Sequence, residues 1–150
     1  MILASNRFSN ARRSKGFSLI ELVVAVAIVA MLSMIAVPSF MQNVRKSKRT
    51  DAQTALTTAG TNLERFFGTN GTYTTDTTQL GLLIDESVAY SDDRNYVMTV
   101  AAGGTGIGSS YVVTATAATG TSQAEDTGCT VLTVSSLGQR TPNPTTSKCW

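Results

Sequence analysis

Lys15-Gly16-Phe17-Ser18-Leu19-Ile20-Glu21-Leu22 is the stretch on which the fold turns, because a basic hydrophilic segment ends there and an apolar one begins. Before Gly16 stand Arg7, Arg12, Arg13 and Lys15, with no acid. From Phe17 to Val37 the chain reads FSLIELVVAVAIVAMLSMIAV, and from Leu22 to Met41 no charged side chain occurs. A helix needs about 20 apolar residues at 1.5 Å each to cross roughly 30 Å of hydrocarbon. This run is long enough to do so. The competing account is a buried helix of a soluble domain, but so little charge over such a length is rare in globular cores. A secretory signal is cut after its apolar run, behind small residues, and no such pattern follows cleanly here. Basic residues flank both ends of the run, with Arg45, Lys46, Lys48 and Arg49 beyond it. The nearer, N-terminal cluster favours a cytoplasmic N-terminus.

Glu21 is the one charge within the run, four residues after Phe17. A carboxylate inside a spanning helix costs about 2.5–3.5 kcal/mol on insertion scales, so such a residue is expected to have a partner. A cut after Gly16 would give Phe17 a free amine with a pKa of about 8, largely cationic at neutral pH. That amine would lie one helical turn from Glu21. The same amine on a neighbouring copy could also reach the carboxylate, and low dielectric strengthens either pair.

Outward from this point, Pro38 closes the most apolar stretch. It removes an amide donor and crowds the preceding turn, so a kink or local loosening is expected there. Val44, Ala52, Ala55, Leu56, Ala59, Leu63, Phe66 and Phe67 then recur at helical spacing, which predicts an amphipathic helix from about 39 to 67. One helix from Phe17 to Phe67 would be roughly 75 Å long. Gly68, Asn70 and Gly71 are expected to break it. Tyr73–Asp85 has turn chemistry, with a short apolar group at Leu80, Leu82, Leu83 and Ile84. Three strands are expected, at Tyr96–Ala101, Tyr111–Ala117 and Thr130–Val134, where Val and Thr dominate. Gly103–Ser110 reads as a hairpin loop, and Leu137–Gly138 and Pro142–Pro144 as turns. The expected fold class is α+β, with one long N-terminal helix packed on an antiparallel β-sheet. The expected organisation is a leader over 1–16, an apolar spanning helix over 17–38, and a globular domain over 39–150 that includes the amphipathic half of the helix.

Composition narrows the chemistry. The 150 residues contain no histidine, the commonest general base and metal ligand. Ser, Thr and Asp are abundant, but no triad can be built without that base. No enzyme and no cofactor are expected. The net charge of +2 hides an asymmetry: from Asp51 onward four cations face nine acids, a balance of −5. Gly103, Gly104, Gly106 and Gly108 lack the following Lys-Ser/Thr of a phosphate cradle. Asp85, Glu86, Asp92 and Asp93 match no calcium-loop spacing and are expected to form a solvated acidic surface. Asn70-Gly71-Thr72 fits a glycosylation sequon, yet Asn-Gly is first a turn. Arg45–Arg49 could contact nucleic acid, but directly beyond an apolar span a lipid headgroup or salt bridges within an assembly are favoured. Cys129 and Cys149, the two cysteines, fit one disulfide in an oxidising compartment and equally two free thiols.

The string KGFSLIEL closely resembles the type IV pilin family, where a leader ending in Gly precedes Phe and an acid four positions on. The resemblance implies cleavage between Gly16 and Phe17 by a prepilin peptidase, N-methylation of Phe17, and recruitment of subunits into a helical filament through Glu21. Pro38 sits where many pilins carry a helix-loosening proline. VRKSKRTDAQTAL (Val44–Leu56), FFGTNGTY (Phe66–Tyr73) and the closing Cys-Trp look like a minor-pilin group that includes DNA-uptake receptors. Cys129 and Cys149 match the C-terminal disulfide loop of many type IV pilins, which implies that they pair. The implied partners are other pilin subunits, the peptidase, the inner membrane and the pilus assembly machinery. The implied location is the inner membrane, with the globular domain in the periplasm, and then an extracellular pilus serving adhesion, twitching motility or DNA uptake. Two alternatives carry the same N-terminal signal. One is a DNA-uptake receptor pilin, against which the acidic balance after Asp51 argues. The other is a type II secretion pseudopilin, many of which lack the terminal disulfide loop.

Overall fold

The computed structural model describes residues 16–145 and 147–150, so the expected leader, apart from Gly16, lies outside the described residues. The chain divides after Pro38 into two compact units. One helix, α1, runs from Leu19 to Asn70 over 52 residues, with Pro38 inside it. Phe17 and Ser18 precede α1, and the Ser18 carbonyl accepts the first bond, from the Leu22 amide at 3.1 Å. Of the three expected breakers, Gly68 and Asn70 lie within the helix. Gly71 ends it, at φ 69°, the left-handed conformation open to glycine. Its N–H closes on the Phe67 carbonyl at 2.8 Å. The Asn70 side-chain amide and the Thr69 hydroxyl donate to the Phe66 and Arg65 carbonyls in the last turns of the helix.

The unit from Ser39 to Trp150 holds the second part of α1 and a six-stranded antiparallel sheet in the order β1-β2-β3-β4-β5-β6. The strands are β1 Leu83–Asp85, β2 Val88–Tyr90, β3 Tyr96–Ala102, β4 Tyr111–Ala117, β5 Val131–Ser135 and β6 Arg140–Thr141. The register stacks Met98, Ala115 and Leu132 across one face, with Val100, Val113 and Val134 in the next row. Ala52, Ala55, Leu56, Ala59 and Leu63 from α1 join this face in one core. Three of those five are alanines, which lets the helix backbone approach the sheet closely. A Cβ on Gly60 would stand 3.4 Å from the Tyr111 hydroxyl oxygen. Leu56, Leu63, Tyr96 and Leu132 are fully buried, each contributing roughly 1.5–3 kcal/mol by leaving water.

The three expected strands are present within a residue or so of their bounds. Three more, β1, β2 and β6, were not expected, and β1 lies at the end of the Tyr73–Asp85 stretch expected to have turn chemistry. The β1–β2 hairpin turns on Glu86 at φ 46° and Ser87 at φ 72°. Two positive φ values are what a tight two-residue hairpin needs, but Asn-Gly or Asp-Gly normally marks it. Glu-Ser gives no such signal. Strands of three residues and two residues are also too short for alternation to show.

Candidate functional site

In the N-terminal unit the apolar part of α1 is bare. Within an 18-residue window of it no side chain is buried. Ile20, Val24, Ile28, Met31 and Ile35, on successive turns, are each at least half exposed. Ser33, the hydroxyl in this stretch, donates to the Val29 carbonyl at 2.8 Å, so it presents no free donor. Glu21 stands in the first turn, where the helix dipole favours a negative charge. Phe17 is 82% exposed, just outside α1. Among the described residues a Cβ on Gly16 would meet nothing within 4 Å, so their packing does not require glycine there.

The basic turn that follows is largely engaged within its own unit. Arg49 holds Asp126 with two prongs, Nε to Oδ2 and Nη2 to Oδ1, both 2.7 Å. Its Nη1 donates to the Lys148 carbonyl at 2.6 Å. The Arg49 and Asp126 side chains are only 14% and 7% exposed. The hydrogen bond to Asp126 raises the Arg49 pKa against the opposing effect of burial. Arg45 pairs with the Glu125 carboxylate and Lys48 donates to Ser122 Oγ at 3.0 Å. Gln123, fully buried, returns bonds to the Arg45 carbonyl and to the Tyr96 hydroxyl. These partners lie on the short 3-10 helix Ser122–Glu125 or directly after it. Cys129 and Cys149 are disulfide-bonded with their Cα atoms 5.4 Å apart, and Gln53 donates to the Cys149 carbonyl. The basic turn of α1 thus clasps the connection after β4 and the C-terminal loop together.

Elsewhere, Glu64 accepts from the Tyr111 hydroxyl at 3.1 Å and from Tyr73. Burial, then the bond to Glu64, pushes the Tyr111 pKa up, and burial does the same for Tyr96. Asp51 accepts from Ser91 Oγ and Asn95 Nδ2, pinning the turn before β3 to α1. Asp85 of the acidic group pairs with Arg94. Among the described residues no three acidic or cysteine side chains converge as a metal-holding group. Arg140 lies 5.0 Å over the Trp150 ring beside a cleft of about 400 Å³ that also touches Leu56, Gly60 and Tyr111.

The sequence reading singled out Arg45, Lys46, Lys48 and Arg49 but not their partners. Glu125 and Asp126 lie 80 and 77 positions away. The local hint is that this acidic pair stands just before Cys129.

The sequence profile of the family described as "Type IV minor pilin ComP, DNA uptake sequence receptor" matches residues 38–133. That of the prokaryotic N-terminal methylation motif matches residues 11–37. The chain is 33% identical over 91 residues to the type IV major pilin protein PilA of Myxococcus xanthus, 61% of this chain and 40% of that protein. It is 29% identical over 85 residues to type II secretion system core protein G of Dickeya chrysanthemi, 57% of this chain and 56% of that one. The core protein G of Aeromonas hydrophila is 28% identical over 85 residues, 57% of this chain and 59% of that one. The aligned stretches therefore span about half the length of these relatives.

Proposed function

The chain belongs to the type IV minor pilin ComP family, and from that membership we propose that it is a structural subunit of a type IV pilus, assembled from the inner membrane into a surface filament. In this reading prepilin peptidase removes residues 1–16, the new Phe17 amine is methylated, and residues 17–38 hold the subunit in the inner membrane. Residues 39–150 then face the periplasm. During assembly the apolar part of α1 leaves lipid and packs against the same segment of other pilin subunits, with Glu21 as countercharge to a Phe17 amine. Pro38, in the helix interior, loosens α1 where the apolar part ends.

The carrying observation is the bare apolar stretch of α1, whose side chains are exposed on every face. Such a surface needs lipid or other helices around it. Gly16 adds support: nothing among the described residues asks for glycine, so its place at the junction points to a processing enzyme that does. The test is sequencing of the protein from sheared filaments. It should begin at N-methylated Phe17, and a mature start beyond Val37 would overturn the reading.

The family's own description favours a second reading, a pilin that receives DNA during uptake. The resemblance to core protein G favours a third, a secretion pseudopilin. Deletion that stops protein secretion, with the chain absent from surface filaments, would select the third. A gel-shift titration of residues 39–150 with DNA decides the second.

A further inference from the structure

Beyond the clasp itself, a pocket of about 360 Å³ opens among α1 residues Gln42–Arg49, Glu125–Thr127 and Lys148. It is lined by four cations, Arg45, Lys46, Arg49 and Lys148, and by two acids, Glu125 and Asp126. The acids are already matched, Glu125 by Arg45 and Asp126 by Arg49. Lys46 and Lys148 are exposed and stand in no ion pair among the described residues. The pocket lining therefore carries two positive charges without an ion-pair partner among the described residues, one from α1 and one from the C-terminal loop. Among the described residues Arg45 Nε also has no hydrogen-bond partner. Gln42, Asn43 and Thr127 supply neutral donors around the same space.

We propose that this pocket binds the phosphate of an anionic lipid headgroup, with Lys46 and Lys148 as its two cationic contacts. Two lysines and surrounding amide and hydroxyl donors suit a phosphodiester, whose free oxygens accept several hydrogen bonds at once. The helix supplies the argument for a lipid source. Gln42 and Lys46 follow Pro38 by four and eight residues along α1, a rise of about 6 and 12 Å. Side chains on a helix lean toward its N-terminus. A lysine in this position reaches back to headgroup level while its stem covers apolar surface. The pairing of Arg45 and Arg49 within the unit leaves Lys46, not the whole basic run, as the headgroup contact on α1. Lys148, more than 100 positions later, becomes its partner only in the fold.

The inference rests on the membrane residence proposed above, and the experiment separates the two. The intact chain, reconstituted in phosphatidylcholine bicelles, is titrated with phosphatidylglycerol while its backbone amide signals are followed by NMR. Flotation with the lipid is checked first, and a chain that does not float overturns both readings. For the floating chain, saturable shifts at Glu125–Thr127 and Lys148 are expected. In the Lys46→Gln/Lys148→Gln variant the apparent affinity should weaken about 30-fold, from two lost near-surface charges. The Lys148 carbonyl that accepts from Arg49 is backbone, so the variant keeps the clasp, and an otherwise unchanged amide spectrum verifies this. Unsaturable shifts, or equal shifts in the variant, overturn the proposal. Inorganic phosphate that saturates the same signals while phosphatidylglycerol does not would reassign the pocket to a free anion and overturn the lipid assignment. Displacement of the lipid by duplex DNA at lower concentration than the lipid itself requires would overturn it in favour of nucleic acid.

Discussion

Arg49 and Asp126, 77 positions apart in the chain, meet through two parallel hydrogen bonds of 2.7 Å, both side chains nearly closed to solvent. Removing one partner of such a pair leaves the other charge buried without compensation. Arg49→Met is therefore expected to destabilise the domain by about 3–5 kcal/mol. Arg49→Met combined with Asp126→Leu should recover most of that loss, because both desolvation costs disappear together. Urea unfolding of the three proteins measures it. A double variant as unstable as the single one would show that the Arg49 bond to the Lys148 carbonyl, and not the ion pair, is what matters.

Alkaline pH should attack the core through its tyrosines. Burial raises the pKa of Tyr96 and of Tyr111, and the Glu64 bond raises that of Tyr111 further. A tyrosine whose folded pKa exceeds its unfolded value of about 10 favours folding by resisting ionisation. That contribution is complete below about pH 10 and is lost as pH rises through the raised folded value. Stability should be insensitive to these two groups up to about pH 10 and decline above it. Their tyrosinate absorbance should appear together with loss of the circular-dichroism signal. Ionisation of all four tyrosines in a protein that still shows native ellipticity would contradict this.

Glu21→Val is expected to leave the chain processed and membrane-held but poorly incorporated into filaments. Removing a carboxylate from the apolar segment eases insertion. A Phe17 amine buried among helices then lacks its countercharge, at a cost of several kcal/mol. Immunoblots of membrane and sheared-fibre fractions read the difference. Normal incorporation of the variant would remove the Glu21–amine pair from the assembly mechanism.

Sequence-independent DNA binding by residues 39–150 is expected to be weak. This unit has eight cations against nine acids. Of the cations after Asp51, Arg94 pairs with Asp85 and Arg140 lies over Trp150. Little complex should form at micromolar protein in about 0.15 M salt. Tight binding that falls steeply with salt would instead support the receptor reading. The fragment must begin at Ser39: one starting at Asp51 would lose Arg45, Lys48 and Arg49, which hold the Ser122–Asp126 connection.

The sequence alone determined what depends on near neighbours. A charge-free apolar run, an abrupt basic-to-apolar junction at Gly16-Phe17, and the i, i+3, i+4 spacing of Ala52, Ala55, Leu56, Ala59 and Leu63 are local patterns, so the span, the helix and its buried stripe were legible. Strands β3 and β4 were legible too, being seven residues each and rich in Val and Thr. The β1–β2 hairpin was not, since Glu86 and Ser87 take positive φ values without the glycine that would advertise them. Gly68 and Asn70 looked like helix breakers, but the helix continues until the left-handed Gly71. Only the tertiary structure decided which charges are matched. Arg45 and Arg49 look identical in character to Lys46 in the sequence, yet the fold brings Glu125 and Asp126 to the arginines and places Lys46 and Lys148 in the lining of one pocket. Charge pairing across some 80 residues follows from how the sheet and the disulfide-closed tail wrap onto α1, and no local pattern encodes that path.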